Sequence, residues 1–162
     1  MTGPGSALLL PRLEATEAAG ALLAEMKAPR IVYLEGDLGV GKTTWVRGLL
    51  RRLGHEGAVR SPTYTLVEPY VLGGREVLHF DLYRLGDPEE LEYLGVREDF
   101  GGEVLWLVEW PERGQGWLPT ADLVVRLGHR ADTAEGRELN LEGPLAAAYR
   151  EALLERGVVA DA

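Results

Sequence analysis

An α/β fold is predicted by three features of this sequence. Ile31-Val32-Tyr33-Leu34-Glu35 is a short apolar run, the glycine-rich stretch Gly36-Asp37-Leu38-Gly39-Val40-Gly41-Lys42-Thr43 follows it directly, and the next ten residues place Trp45 or Val46, Leu49, Leu50 and Leu53 at helical spacing. Val104–Val108 is a second unbroken apolar run, of the kind buried on both faces in a parallel sheet. Leu66–Leu72 and Arg75–Arg84 flank Gly73-Gly74, a strong hairpin signal. Together they predict a three-layer sandwich with a largely parallel central sheet plus antiparallel hairpins.

The glycine-rich stretch fits G-x-x-x-x-G-K-[ST] at every fixed position, between a strand and a helix, so the sandwich is expected to be P-loop NTPase-like and to form one domain over residues 1–162. The residue types follow from the ligand. A polyphosphate needs many donors close to its oxygens, and backbone N–H groups reach them where no Cβ intervenes, hence Gly36, Gly39 and Gly41. The helix that follows adds unpaired N–H groups and the positive end of its dipole. Lys42 supplies a point charge for the β- and γ-phosphates, and the Thr43 hydroxyl is placed for Mg²⁺.

The remaining elements read in order. Residues 1–10 look like a frayed or loosely docked end. Glu14–Met26 is a helix with Ala18, Leu22, Leu23 and Met26 as its apolar face. Gly54 stops the helix after the phosphate loop. Ser61-Pro62-Thr63-Tyr64-Thr65 is a hydroxyl-rich segment, and Pro62 keeps Ser61 out of helix. In the second arm of the hairpin, Val77, His79, Asp81 and Tyr83 share one face and Leu78, Phe80 and Leu82 the other. The apolar face must be buried, so the His79/Asp81/Tyr83 face is expected toward solvent or a cleft; an Asp beside a His on a strand is unusual. Asp87-Pro88-Glu89-Glu90 starts a helix ending at Gly95, and Val96–Phe100 reads as one more helical turn.

Pro111 halts the strand that begins at Val104, leaving Glu109 at its carboxyl end. Ligands of open α/β sheets bind beyond the carboxyl ends of strands, and the phosphate loop leaves such an end. If both strands are parallel in one sheet, Glu109 and Thr43 face one crevice in a Walker-B arrangement for Mg²⁺; the alternative is a surface acid beside a turn. Gly114–Pro119 is a loop. Asp122–Leu127 and Arg137–Leu141 are expected as short strands around a polar turn, Gly128–Gly136. Pro144 opens a last helix with Leu145, Tyr149, Ala152 and Leu153 inward.

Charge narrows the partners. With 17 Lys+Arg against 26 Asp+Glu, the chain carries −9, the wrong sign for gripping nucleic acid over its whole surface. The absence of cysteine excludes disulfides and thiolate metal sites. No apolar run approaches the ~18 residues of a membrane span, and Met1–Ser6 lacks the basic region of an export signal, so a cytoplasmic protein away from membranes is expected. A GTPase would need Asn-Lys-x-Asp, and the only asparagine is Asn140, followed by Leu141. That leaves a partner-driven ATPase, with an ATP-dependent small-molecule kinase as the alternative and a nucleotide-binding scaffold as a third reading.

Five motifs in sequence carry a resemblance: Gly36–Thr44, Ser61–Tyr70, His79-Phe80-Asp81-Leu82-Tyr83-Arg84-Leu85, Pro88–Glu92 and Val108-Glu109-Trp110-Pro111-Glu112. In this order, over about residues 10–142, the chain resembles the TsaE (YjeE) family, bacterial P-loop ATPases of tRNA N6-threonylcarbamoyladenosine biosynthesis. The resemblance implies ATP and Mg²⁺ as ligands and a TsaB–TsaD complex as the partner, with TsaC or its Sua5-type relative upstream. It implies that tRNA is reached through those partners, and that hydrolysis resets the assembly between turnovers. Over the loop, Gly36, Asp37, Leu38, Gly39, Val40, Gly41, Lys42, Thr43 and Thr44 would hold the nucleotide, and Thr43 and Glu109 the metal. Asp81 matches the essential aspartate, orienting the attacking water or acting as general base. Thr63, Tyr64 and Thr65 resemble a switch-like segment beside the γ-phosphate. Trp110 lies near the nucleotide, with core packing as the other reading. Arg137 matches an arginine near the nucleotide, with a plain surface arginine as the other. Pro11 and Leu13 match positions over the adenine. The segment Gly128–Gly136 is longer than the resemblance leads one to expect.

Overall fold

The computed structural model describes residues 6–26, 30–95 and 103–162. Eight strands form one sheet in the order β3-β4-β5-β2-β6-β7-β1-β8: β1 Leu8–Leu10, β2 Ile31–Glu35, β3 Val67–Leu72, β4 Arg75–Asp81, β5 Leu105–Glu109, β6 Leu123–Arg130, β7 Thr133–Glu142 and β8 Ala160–Asp161. The centre is parallel: β4 pairs with β5, β5 with β2, and β2 with β6. Antiparallel partners extend it on both sides, β3 on one edge and β7, β1 and β8 on the other. The expected largely parallel centre with antiparallel hairpins is therefore present.

Three α-helices, α1 Leu13–Ala24, α2 Lys42–Arg52 and α3 Ala146–Glu155, pack on one face. Alternation along the strands sends Val32, Leu34, Val77, Leu105 and Leu107 toward them. Phe80, Trp106 and Val108 point the opposite way, into a second core with Leu82, Leu91 and Trp117. Among the described residues, that core lies with two 3₁₀ turns, Pro88–Leu94 and Pro111–Gly114, so on this face tight turns and loop stand where long helices were expected to form the third layer. Among the described residues, no helix is long and apolar enough to cross a membrane.

The punctuation residues act as their chemistry requires. Asp87 and Glu90 form a reciprocal capping box, Pro88 opens the turn, and Gly95 closes it at φ 68°. Gly73 and Gly74, at φ 59° and 82°, make the two-residue hairpin turn.

α1 and α2 meet unusually closely. A Cβ on Gly20 would lie 1.9 Å from the Trp45 carbonyl oxygen, and one on Gly48 1.9 Å from that of Glu17. These two glycines let the helix backbones touch. Tyr149 of α3 ties the pair together, its hydroxyl donating to the Ala19 carbonyl and accepting from Trp45 Nε1 at 3.1 Å.

Three sequence expectations are corrected. Leu8–Leu10 is not frayed: it forms β1 between β7 and β8, with Leu8 and Leu10 fully buried. The face of α1 is rotated by one residue, with Thr16, Ala19, Gly20, Leu22 and Leu23 inward and Ala18 exposed, because the glycine crossing sets its roll. The Gly128–Gly136 segment is mostly strand, since β6 and β7 continue through it to a turn at residues 131–132 with a register shift at His129/Arg130. Of the two settings expected for the His79/Asp81 face of β4, solvent or a cleft, the structure has the cleft: Asp81 lines a crevice and His79 is fully buried. Val96–Phe100 and residues 1–5 lie outside the described residues.

Candidate nucleotide site

β2 delivers the chain to the loop at the sheet's centre. Gly36 must turn where it touches β6: at φ 144°, an added Cβ would sit 2.5 Å from the Leu127 carbonyl oxygen. Gly41, at φ 118°, forms the N-cap of α2, and Trp45 N–H donates to its carbonyl at 2.9 Å to begin the helix. The first-turn N–H groups of α2 thus open toward the loop without a side-chain cap.

The carboxyl ends of β4 and β5 lie beside it. Asp81 and Glu109 are register partners across these parallel strands, so both carboxylates project to the helix side, about one strand spacing (~4.8 Å) apart. Both are buried. Glu109 faces the start of α2: Thr43 Oγ1 lies 3.2 Å from each of its oxygens. Asp81 accepts from Ser61 Oγ, from Thr63 Oγ1 at 3.1 Å and from the Tyr83 backbone N–H at 2.9 Å. Ser61 Oγ also lies 3.3 Å from Glu109 Oε2, so its single proton is shared between the two acids and bridges them. His79 Nε2 lies 2.6 Å from the same Glu109 oxygen.

The crevice enclosed is about 250 Å³, lined by residues 38–44 with Ser61, Thr63, Asp81, Glu109 and Trp110. Lys42 is tucked into its own loop, donating to the carbonyls of Gly36 and Asp37 (the latter at 3.0 Å), with Nζ 4.1 Å from the centre of the Trp110 ring. Burial pushes its pKa down against the opposing pull of Glu109, Asp81, Glu112 and Asp37. Trp110 holds a left-handed backbone, φ 58° and ψ 50°, and its ring meets Tyr83 at 4.9 Å. It is half-buried between the crevice and Tyr83, which joins the two readings the sequence left open.

The loop residues Leu38 to Thr44, Thr63, Asp81, Glu109 and Trp110 come together in one crevice. Gly36 and Asp37 line an adjoining hollow on the far side of the loop, which Trp110 also borders. Arg137 lines neither: its Nε donates to the Val40 carbonyl at 2.7 Å, bracing the loop from β7. Pro11 and Leu13 are exposed and also line neither, although the adjacent Leu10 pairs with Arg137. Ser61 and His79 were given no role from sequence. The signals were a third hydroxyl in the Ser61–Thr65 segment and a histidine two residues before Asp81 on one strand face.

The donor set suits a hard cation held jointly with phosphates. Thr43 and Glu109 offer hydroxyl and carboxylate oxygens side by side. Among the described residues, no group of three or more His, Cys, Asp or Glu side chains is arranged to hold a metal by itself. Mg²⁺ typically takes one or two carboxylates plus substrate phosphates.

Comparison with known proteins places the chain in a family. Residues 10–139 match the family described as threonylcarbamoyl adenosine biosynthesis protein TsaE. The tRNA threonylcarbamoyladenosine biosynthesis protein TsaE of Haemophilus influenzae is 56% identical over 102 residues, 63% of this chain. That match spans 65% of the relative's own length, just under two thirds. The Bacillus subtilis protein of the same name is 38% identical over 120 residues, 74% of this chain and 75% of the relative. The crystal structure of Bacillus subtilis YdiB superposes with a TM-score of 0.73 at 28% identity, covering 93% of this chain and 95% of that one. A family match running from the end of β1 nearly to the end of β7 takes in every strand that builds the crevice, and on that ground the chain belongs to the TsaE family.

Proposed function

We propose that the chain is a Mg²⁺-dependent ATPase that serves tRNA threonylcarbamoyladenosine formation by acting on a TsaB–TsaD assembly. The observation that carries this reading is the convergence of Lys42, Thr43, Glu109 and Asp81 on one crevice at the carboxyl ends of β2, β4 and β5. The place in threonylcarbamoyladenosine biosynthesis is supported by the names of the family and of its relatives in Haemophilus and Bacillus.

In this reading Lys42 leaves the carbonyls of Gly36 and Asp37 and takes phosphate oxygens in their place. Backbone N–H groups of residues 39–43 donate to the polyphosphate. Thr43 and Glu109 would hold a Mg²⁺ ion, which would supply charge neutralisation on the phosphates. Asp81 orients a water molecule and accepts its proton, held in place by Ser61, Thr63 and the Tyr83 N–H. Two adjacent carboxylates would repel a bare polyphosphate, so the site favours the nucleotide together with a cation. The acidic chain leaves tRNA to its partners.

The test is steady-state ATP hydrolysis with and without purified TsaB–TsaD, for the wild type and Asp81→Ala. Slow turnover alone, stimulation by the partner pair, and a loss of about 100-fold or more in D81A with nucleotide affinity kept are expected. Absence of any partner effect would remove the pathway reading. Full function of D81A in a reconstituted, multiple-turnover assay of tRNA modification would reduce the chain to a nucleotide-binding scaffold.

A further inference from the structure

His79 is the one chemically versatile side chain at the site to which the mechanism above gives no part. It lies on β4, two residues before Asp81 on the same face, and is fully buried. Its Nε2 stands 2.6 Å from Glu109 Oε2, against 3.2 Å for Thr43 and 3.3 Å for Ser61, so it makes the shortest contact to that carboxylate. Its other nitrogen, Nδ1, is buried with no hydrogen-bond partner among the described residues.

This asymmetry selects a tautomer. With the proton on Nε2, the ring donates to Glu109 and leaves only a lone pair unpaired. With the proton on Nδ1, a buried N–H would have no acceptor, and an Nε2 lone pair would face a carboxylate oxygen. The donors on Glu109 are also unevenly shared. Oε2 receives His79, Ser61 and Thr43, whereas Oε1 receives Thr43 alone. Oε1 is thus the oxygen left for a cation. Outer partners of this kind set the orientation and basicity of metal-binding groups.

We propose that His79 is a positioning residue, whose Nε2–H clamps Glu109 Oε2 and leaves Oε1, beside Thr43, as the one carboxylate oxygen through which the site takes a divalent cation. The inference rests on the nucleotide reading above. A histidine there for packing alone would be replaceable by an apolar side chain without effect on the cation.

The variants that separate these roles are His79→Leu, similar in bulk without a donor, and His79→Gln, whose amide N–H₂ donates from near the Nε2 position. Calorimetry measures affinity for a non-hydrolysable ATP analogue, once with Mg²⁺ and once with EDTA. In EDTA all three proteins are expected to bind alike, within about twofold. With Mg²⁺ the wild type and H79Q gain affinity, and H79L loses about tenfold or more of that gain, the range found for outer partners of metal sites. A gain in H79L equal to that of the wild type overturns the proposal and leaves the nucleotide reading standing. No Mg²⁺-dependent gain in the wild type overturns both. Independently of any nucleotide, imidazole ¹⁵N NMR of the wild type should find the His79 proton on Nε2; a proton on Nδ1 overturns the clamp. That measurement, with H79Q, decides the matter if H79L does not fold.

Discussion

Lys42 combines two demands that oppose each other. In the proposed site it must be charged to meet phosphate, yet it is buried against Gly36, Asp37 and Trp110, and burial draws its pKa below the ordinary lysine value. The sign follows from linkage. Holding Lys42 charged costs stability below its folded pKa, and the cost is relieved as pH rises from there toward about 10.4, where an unfolded lysine titrates. Lys42→Met should therefore leave the ligand-free protein at least as stable at about pH 7, within roughly 1 kcal/mol. The difference from the wild type should shrink at about pH 9.5. Urea midpoints at the two values check this. A large loss of stability in K42M would mean that the two carbonyl bonds and the Trp110 contact outweigh the burial. The same variant should lose nucleotide binding, since among the described residues no other lysine or arginine lines the crevice.

Elements hold these residues by packing that sequence periodicity describes only in part. The α1–α2 crossing depends on Gly20 and Gly48, each of which would drive a Cβ to 1.9 Å from a carbonyl oxygen of the other helix. Alanine is the better helix former by about 1 kcal/mol, so propensity alone predicts that Gly20→Ala stabilises. The clash predicts the reverse, a net loss of about 2 kcal/mol or more, because both colliding groups are backbone and cannot rotate aside. Chemical denaturation of G20A decides between the two, and a stabilised variant would refute the crossing. Because α2 begins in the phosphate loop, the same variant should also weaken nucleotide binding. The strand elements were more readable. Glu109 was legible because an unbroken apolar run ends on it just before a proline, and the Asp87 capping box because its reciprocal pattern is local. The partners of Asp81 were not, since Ser61 and Thr63 reach it across a loop of indeterminate path.

For the molecule as a whole, the sheet joins distant parts of the chain. Removal of residues 1–10 tests this. An end that were merely frayed would be dispensable; here the deletion takes Leu8 and Leu10 out of the core and separates β7 from β8. Two fully buried leucines are worth about 4 kcal/mol in area terms, which for a chain of this size is a fall in Tm of roughly 10 °C. A truncated protein melting within about 2 °C of the full chain would show that β1 contributes no stability. Because Arg137 pairs with Leu10 and braces the Val40 carbonyl, the truncation should also loosen the phosphate loop.

By itself the sequence determined what is local or periodic: the strand, glycine-rich loop and helix of the candidate site, the apolar runs of the parallel centre, the hairpin turn, the caps, and the acid at the end of β5. These follow from backbone sterics, side-chain alternation and the donor needs of a polyphosphate, all of which act within a few residues. The tertiary structure alone decided that the His79/Asp81 face lies under the helix layer, that Ser61 bridges two acids, that Arg137 braces the loop without lining the crevice, and that residues 8–10 fill a gap between strands far along the chain. The reason is strand order. β4 meets β5, β5 meets β2, and β1 meets β7, pairing residues 28 (Asp81 with Glu109) to 131 (Leu8 with Leu139) positions apart, and no short-range pattern encodes which strands become neighbours.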